Sequence, residues 1–277
     1  MVPLRALVRI TRLWNLLIIG LAQYCTAGFL ISYDSIFDPR MLMLVISTMI
    51  IAAGGYSIND YYDVKIDLIN KPERVVVGNT LSRRSVLLLH SLLSMTGVGL
   101  GFALNWKLGV INFFSAFLLW LYSNALKRMP FIGNFLVALL TGLSILVVNA
   151  LFLPLLPIVW VYALFSFFMT LVREIIKDME DLKGDDTFGC RTLPIVWGIR
   201  PTKVFIYGLL LFFFGVVVTI HDIVTPMPVY FFIGFLFIPT GGVIIWLIRA
   251  DTRKDFYRLS QFCKIIMLAG ILSMAFV

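Results

Sequence analysis

The sequence predicts an all-α fold: a polytopic membrane protein with nine transmembrane helices around a central cavity, and residues 1–277 forming one domain. Three observations predict it. Sixty percent of the 277 residues are apolar and 14% are charged, with a mean hydropathy of +0.97, too little polarity to cover a soluble surface. Apolar runs recur at about the 20 residues a helix needs to cross ~30 Å of hydrocarbon. Lys and Arg gather in short loops at alternate ends of those runs and form no extended basic domain.

The runs can be taken in order. The first, 13–33, follows Arg5, Arg9 and Arg12 and has no small-residue cleavage site before the next run, which marks a retained anchor rather than a removed signal peptide. The second, 41–58, passes into an acidic segment. The third and fourth, 86–104 and 109–124, share a short turn, and the fifth, 131–153, starts after Pro130 and stops at Pro154. The sixth, 157–175, opens on Pro157 and runs into a second acidic segment. The seventh, 203–221, follows Pro201. The eighth, 228–248, begins after Pro226 and Pro228 and holds Pro239 inside it, which predicts a kink. The ninth is 262–277, and like the second and fourth it is short enough to lie tilted or partly interfacial. The 24 Phe outnumber the 6 Trp and 10 Tyr, so most aromatic rings can face lipid without a polar partner.

Of the 23 Lys and Arg residues, all but Arg40 and Lys107 fall on one side of this arrangement, which makes that side cytoplasmic. In a bacterium this places the chain in the inner membrane. The net charge of +8, spread over short loops, suits anionic membrane lipid and not nucleic acid. Cys25, Cys190 and Cys263 have neither pairing logic nor metal-ligand spacing. His90 and His221 are isolated and read as packing or interfacial residues. No obligate protein partner is evident.

Chemistry concentrates at the ends of the second and sixth runs, both on the cytoplasmic side. Asn59, Asp63 and Asp67 are spaced i, i+4, i+8, and Asp178, Asp181 and Asp185 are spaced i, i+3, i+7, so each set forms a polar stripe on one helix face. Carboxylates this dense beside hydrocarbon repel one another and lose hydration, a cost that bound cations offset. The donors are all oxygens without a His or Cys cluster, which favours Mg²⁺ over zinc, held between the stripes and a diphosphate. Asp60, Glu180 and Asp186 fall off the stripes and read as supporting or surface acids. Arg74 offers a forked contact to phosphate oxygens, and Lys127 a mobile point charge on the loop after the fourth run. Arg173 and Lys177 stand one turn before the second cluster and also suit phosphate. Arg12 and Asn15, at i, i+3, face one cavity, where Asn15 either orients substrate or satisfies a neighbouring helix. Asn124 shares the loop from Tyr122 to Lys127.

In order, Arg12-Leu-Trp-Asn15, Asn59-Asp-Tyr-Tyr-Asp63-Val-Lys-Ile-Asp67, Asn70-Lys-Pro-Glu-Arg74, Tyr122-Ser-Asn-Ala-Leu-Lys127-Arg128 and Arg173-Glu-Ile-Ile-Lys177-Asp178-Met-Glu-Asp181-Leu-Lys-Gly-Asp185 resemble the UbiA superfamily of intramembrane prenyltransferases. The resemblance implies nine transmembrane helices around a cavity, with acidic motifs binding Mg²⁺ and isoprenyl diphosphate. It implies metal ligation by Asn59, Asp63, Asp67, Asp181 and Asp185, with Asp178 close by, and diphosphate contacts from Arg74 and Lys127, accompanied by Tyr122. The family motif around Arg74 commonly carries another basic residue after a second proline, whereas Val75, Val76 and Val77 stand here.

The expected reaction is Mg²⁺-dependent transfer of an isoprenyl group from an isoprenyl diphosphate to a lipophilic acceptor, with the departing charge stabilised by the metal and basic side chains. Apolar walls would hold the tail and exclude water. The Arg173 to Asp178 pattern, with Gly184-Asp185 and Arg191-Thr-Leu-Pro194, is similar to the branch whose acceptor is geranylgeranylglyceryl phosphate. An aromatic quinone precursor is the alternative acceptor. A CDP-alcohol phosphotransferase would show an Asp-Gly near an Ala-Arg pair, a pattern absent around Asp60 to Asp67. An ion transporter would thread polar residues across the bilayer, whereas these acids gather at one rim.

Overall fold

The structure is a computed structural model that describes residues 4–152, 156–224 and 233–276. Among them there is no β-strand, and only an isolated bridge joins Val77 to Leu81. A short α1 (Leu4–Ile10) leads into α2 (Leu13–Cys25), which continues as a π-helical turn over Thr26–Ile31. Then follow α3 (Pro39–Asn70), α4 (Arg83–Leu104), α5 (Trp106–Asn124), α6 (Ile132–Leu151), α7 (Pro157–Thr187), a short α8 (Leu193–Trp197), α9 (Ile199–Val224), α10 (Ile238–Arg249) and α11 (Arg253–Ser273). Eight of these helices are long and apolar enough to cross a membrane, and α10 is a shorter apolar helix. The expected count of nine is not reached among the described residues, since the expected eighth run, 228–248, is represented by a π turn over Ile233–Phe237 and by α10.

The sequence dictates where helices begin. Asp38 caps α3 by accepting the Arg40 amide at 2.8 Å, with Pro39 at the first helical position. Ser82 caps α4, and Asn105, the one residue between α4 and α5, caps α5 by accepting the Leu108 amide at 3.0 Å. Thr252 and Asp255 form a capping box, which starts α11 at Arg253, well before the expected run at 262. Pro239 falls in the first turn of α10, after the π turn, so it opens that helix instead of kinking its interior. Pro154, Pro226 and Pro228 lie outside the described residues.

The two longest helices carry the acidic stripes. At 32 residues, α3 spans about 48 Å, and α7 with 31 is nearly as long, so each has more than a turn to spare beyond ~30 Å of hydrocarbon. α7 is the packing centre: Met169, Val172, Ile175 and Ile176 are fully buried in an apolar cluster with Ala138 and Ile145 of α6, Phe213 of α9, and Leu259 and Cys263 of α11. Small residues draw helices together, as in other membrane bundles. A β-carbon on Gly97 of α4 would sit 2.5 Å from Ile51 and 3.1 Å from the Ser47 carbonyl of α3. In that close approach the Ser47 hydroxyl donates to the Gly97 carbonyl at 2.8 Å, and the Asn112 amide of α5 donates to the Ser47 hydroxyl at 2.6 Å.

The segment after Arg74 folds back as an apolar seal. Val76 and Val77 are buried with Leu81 and Val86 against Ala6 and Ile10 of α1. Burial of each such side chain contributes about 1.5–3 kcal/mol. This explains why valines follow Arg74 where a basic residue would be expected: the loop is held by packing.

Candidate active site

At one end of the bundle, contacts between distant segments gather the polar residues. Arg12 lies between α1 and α2 with φ at 52°, a left-handed conformation that is unfavourable for a side-chain-bearing residue. The break sends its guanidinium to Asp60 of α3 at 2.8 Å and over the Tyr56 ring at 4.9 Å. Burial alone would lower the Arg12 pKa, but Asp60 and Tyr56 outweigh it and hold the group above the ordinary arginine value. Asn15, one turn on, hydrogen-bonds the Tyr56 side chain, so Arg12 and Asn15 share Tyr56 as a partner.

The first stripe is locked from within and from across the bundle. Asn59 donates to Asp63 at 2.7 Å, and Lys127, in the turn Leu126–Arg128 after α5, pairs with the same carboxylate. Desolvation pulls the Lys127 ammonium down, yet Asp63, Tyr122 and Asp185 prevail and hold it above the usual lysine range, fully charged. The turn fits closely because Gly133 of α6 lies against it: a β-carbon there would stand 3.0 Å from the Leu126 carbonyl and 3.2 Å from the Tyr122 ring. Lys127 is therefore flanked by both stripes, Asp63 on α3 and Asp185 on α7.

A second bridge joins the ends of α3 and α7 directly. The Asn70 side chain donates to the Asp181 carbonyl at 3.0 Å and accepts the Gly184 amide at 3.1 Å. Lys71 then pairs with Asp181 at 2.8 Å and Glu180 at 3.2 Å. Arg253 of α11 donates to the Asn70 carbonyl, tying a third helix to the junction. A β-carbon on Gly184 would fall 2.4 to 2.6 Å from the Asn70 side chain, so only glycine permits this approach. The carboxylates of Asp67 and Asp185 take no hydrogen bond or ion pair among the described residues, and each lies within the fields of Asp63 and Lys127. Asp67 on α3 and Asp185 on α7 are thus the stripe carboxylates left without a protein partner among the described residues.

The remaining expected residues separate into groups. Asp178 accepts from Asn134 of α6 at 2.9 Å and turns toward that helix. Arg173 and Lys177 both pair with Glu174, Lys177 at 3.4 Å. Tyr122 stands among Lys127, Glu174, Asp63 and Asp178. Asn124 ends α5 exposed and makes no side-chain hydrogen bond among the described residues. Arg74 ends the short helical turn Pro72–Arg74, and its side chain lies outside the described residues, as does that of His221. His90 bonds the Gly54 carbonyl at 3.0 Å, a helix-packing contact. Of the off-stripe acids, Asp60 serves Arg12 and Glu180 serves Lys71, while Asp186 is exposed.

The spacing of the sequence marks no site role for Asn70, Lys71, Tyr56, Asn134 or Lys264, and Lys71 and Lys264 read there only as positive-side anchors. Asn70 and Lys71 could have been noticed as the i+3 and i+4 neighbours that extend the stripe beyond Asp67. The other three become visible only once helices are paired.

No three Asp, Glu, His or Cys side chains among the described residues close on a single point. The oxygen donors are divided between two walls, α3 and α7, bridged by Asn70 and Lys71, which suits a hard cation completed by substrate phosphates and water, as Mg²⁺ is commonly bound. The donor chemistry therefore fits the ion: Asn59, Asp63 and Asp67 from one wall, Asp181 and Asp185 from the other.

Comparison with known proteins bears on this geometry. Residues 21–266 match the UbiA prenyltransferase family. Digeranylgeranylglyceryl phosphate synthase of Saccharolobus solfataricus is 34% identical, over 98% of this chain and 95% of the relative. A solved structure concerning digeranylgeranylglyceryl phosphate synthase in membranes is 25% identical and superposes with a TM-score of 0.74, covering 99% of each chain. A UbiA homologue from Archaeoglobus fulgidus bound to GPP and Mg²⁺ has the same fold, with a TM-score of 0.65 at 15% identity over 98% of this chain and 100% of that one.

Proposed function

The chain belongs to the UbiA prenyltransferase family, and from that premise we propose that it transfers an isoprenyl group from an isoprenyl diphosphate to the hydroxyl of a lipophilic glyceryl phosphate, releasing diphosphate. The observation that carries the reading is the junction of α3 and α7, where Asn70, Lys71 and Lys127 hold two carboxylate walls face to face. The glyceryl phosphate acceptor follows the name of the 34% identical relative. Mg²⁺ supplies charge neutralisation of the departing diphosphate when bound.

The chain's own residues do the remainder. Asn59, Asp63, Asp67, Asp181 and Asp185 would hold the cation, with Asp178, bonded to Asn134, at its edge. Lys127, charged and poised between the walls, places a point charge on the diphosphate, and Arg74 adds a forked contact. The C1–O bond breaks with its electron pair leaving on diphosphate. The acceptor oxygen bonds C1 and gives up its proton to the departing diphosphate. Tyr122 and Tyr56 line the approach, and the apolar faces of α2, α6 and α7 keep water from the allylic centre. Arg12, Asn15, Arg173 and Lys177 contact substrate beyond the carboxylate walls. A single bundle carries the reaction, and its carboxylate-bearing ends face the cytoplasm, in keeping with the placement of Lys and Arg.

The test is to incubate the purified protein in lipid with Mg²⁺ and a matrix of prenyl diphosphates and acceptors, and to weigh the products. The expected product is the acceptor phosphate carrying one added prenyl group, formed together with diphosphate. Prenylation of a hydroxybenzoate or naphthoate instead would overturn the acceptor assignment, and Mg²⁺-independent turnover would overturn the site.

A further inference from the structure

Deeper along α7 than the carboxylate walls lies a second charged group that the metal chemistry does not use. Glu174 is buried and paired with both Arg173 and Lys177. Across from them, Lys264 of α11 lies within the electrostatic reach of Arg173, Lys177 and Glu174, and takes no hydrogen bond or ion pair among the described residues. It stands 11 residues into α11, about 16 Å along the helix. The Arg173 Nε is also buried without a hydrogen-bond partner. Two cations thus share one carboxylate and Lys264 pairs with none among the described residues, while Arg12, Asp178 and Asp185 act on the group from its edge; in a membrane bundle unpaired charge is costly and marks a ligand or ion path.

We propose that Arg173, Lys177 and Lys264 form a metal-free pocket for the phosphomonoester of the acceptor, distinct from the diphosphate site at the carboxylate walls. This rests on the function proposed above and names the group that selects its acceptor. The charge is matched in kind: a phosphomonoester carries about −1.5 to −2 at pH 7 and three acceptor oxygens, enough for several cations at once, whereas an aromatic carboxylate carries a single negative charge. The position is matched as well. Glu174 precedes Asp181 by seven residues, about 10 Å along α7, so the pocket adjoins the walls and meets them at Lys177, next to Asp178. Tyr122 stands between the two, within the fields of Lys127 and Glu174. In a glyceryl phosphate the phosphate and a reacting hydroxyl sit on neighbouring carbons, so anchoring one places the other.

The test uses full-length protein in lipid nanodiscs with EDTA present, so that metal-dependent binding is silent. Radiolabelled geranylgeranylglyceryl phosphate is the probe, and its dephosphorylated alcohol is the competitor. Wild-type protein should bind the probe, with the alcohol competing at least ~10-fold less well. Lys264→Gln and Lys177→Gln should each weaken binding about 10-fold or more, the equivalent of one charge-assisted hydrogen bond. Lys264→Arg should restore most of it. In turnover assays with Mg²⁺, Lys264→Gln should raise KM for the acceptor and leave KM for prenyl diphosphate within ~2-fold of wild type, a split that general unfolding would not produce. Binding that requires Mg²⁺, equal competition by the alcohol, or unchanged binding in both glutamine variants would overturn the pocket. Probe binding in EDTA without product formation would support the pocket while overturning the proposed reaction, so the two readings fail separately.

Discussion

Gly184→Ala is the sharpest probe of the junction between the carboxylate walls. In an isolated helix the change is favourable by roughly 0.5–1 kcal/mol, because alanine loses less backbone freedom on folding. Here the added carbon would land 2.4 Å from the Asn70 Nδ2 and 2.6 Å from its Cγ and Oδ1. That is about 1 Å inside van der Waals contact. The Asn70 amide cannot swing aside without giving up its bonds to the Asp181 carbonyl and the Gly184 amide. Each is worth about 0.5–1.5 kcal/mol, so the net loss is about 1–2 kcal/mol, or else α7 moves outward by about 1 Å. Such a shift separates Asp185 from Asp63 and Lys127, and a misplacement of that size can cost on the order of 100-fold in rate. The assay is steady-state prenyl transfer beside the apparent melting temperature, both in one detergent. Turnover should fall at least ~10-fold and the melting temperature should drop. In the Asn70→Ala, Gly184→Ala double variant the losses should be less than additive, because the clash is gone. A Gly184→Ala protein that is more stable and fully active would refute the claimed contact.

Three further outcomes are expected. Asp63→Ala and Asp181→Ala should each lower kcat by on the order of 100-fold while the protein inserts normally in membranes, measured by turnover per mole of folded protein. Lys71→Gln removes the partner of both Asp181 and the buried Glu180, and should lower unfolding stability by about 3 kcal/mol, read from thermal or chemical denaturation. Asn112→Ala, remote from the walls, removes the donor that Ser47 and the Gly97 carbonyl share, and should cost about 1 kcal/mol of stability with KM for both substrates unchanged.

Much of this was legible in the chain because it depends on local spacing. The i, i+4, i+8 stripe from Asn59 and the i, i+3, i+7 stripe from Asp178 are helix-face patterns, and the extension of α3 to Asn70 and of α7 to Thr187 follows them. Membrane runs were legible because bilayer thickness fixes helix length. What spacing could not reveal is pairing between helices. Asp178 continues the second stripe in sequence, yet Asn134 draws it toward α6. Lys71 and Lys264 looked like positive-side anchors, because only the packed bundle sets one against Asp181 and the other opposite Arg173. Asn124 shares a loop with Lys127 but ends exposed, since α5 stops there and the chain turns. The early start of α11 was missed because its first turns are charged, and its capping box sits outside the apolar run.

A structure determined with Mg²⁺ and an uncleavable prenyl thiodiphosphate tests the central claim most directly. The diphosphate should lie between α3 and α7, with cation ligands drawn from Asp63 or Asp67 on one helix and from Asp181 or Asp185 on the other, and Lys127 on a phosphate oxygen. A diphosphate held by one helix alone, with the facing carboxylates bound only to lysine, would contradict it.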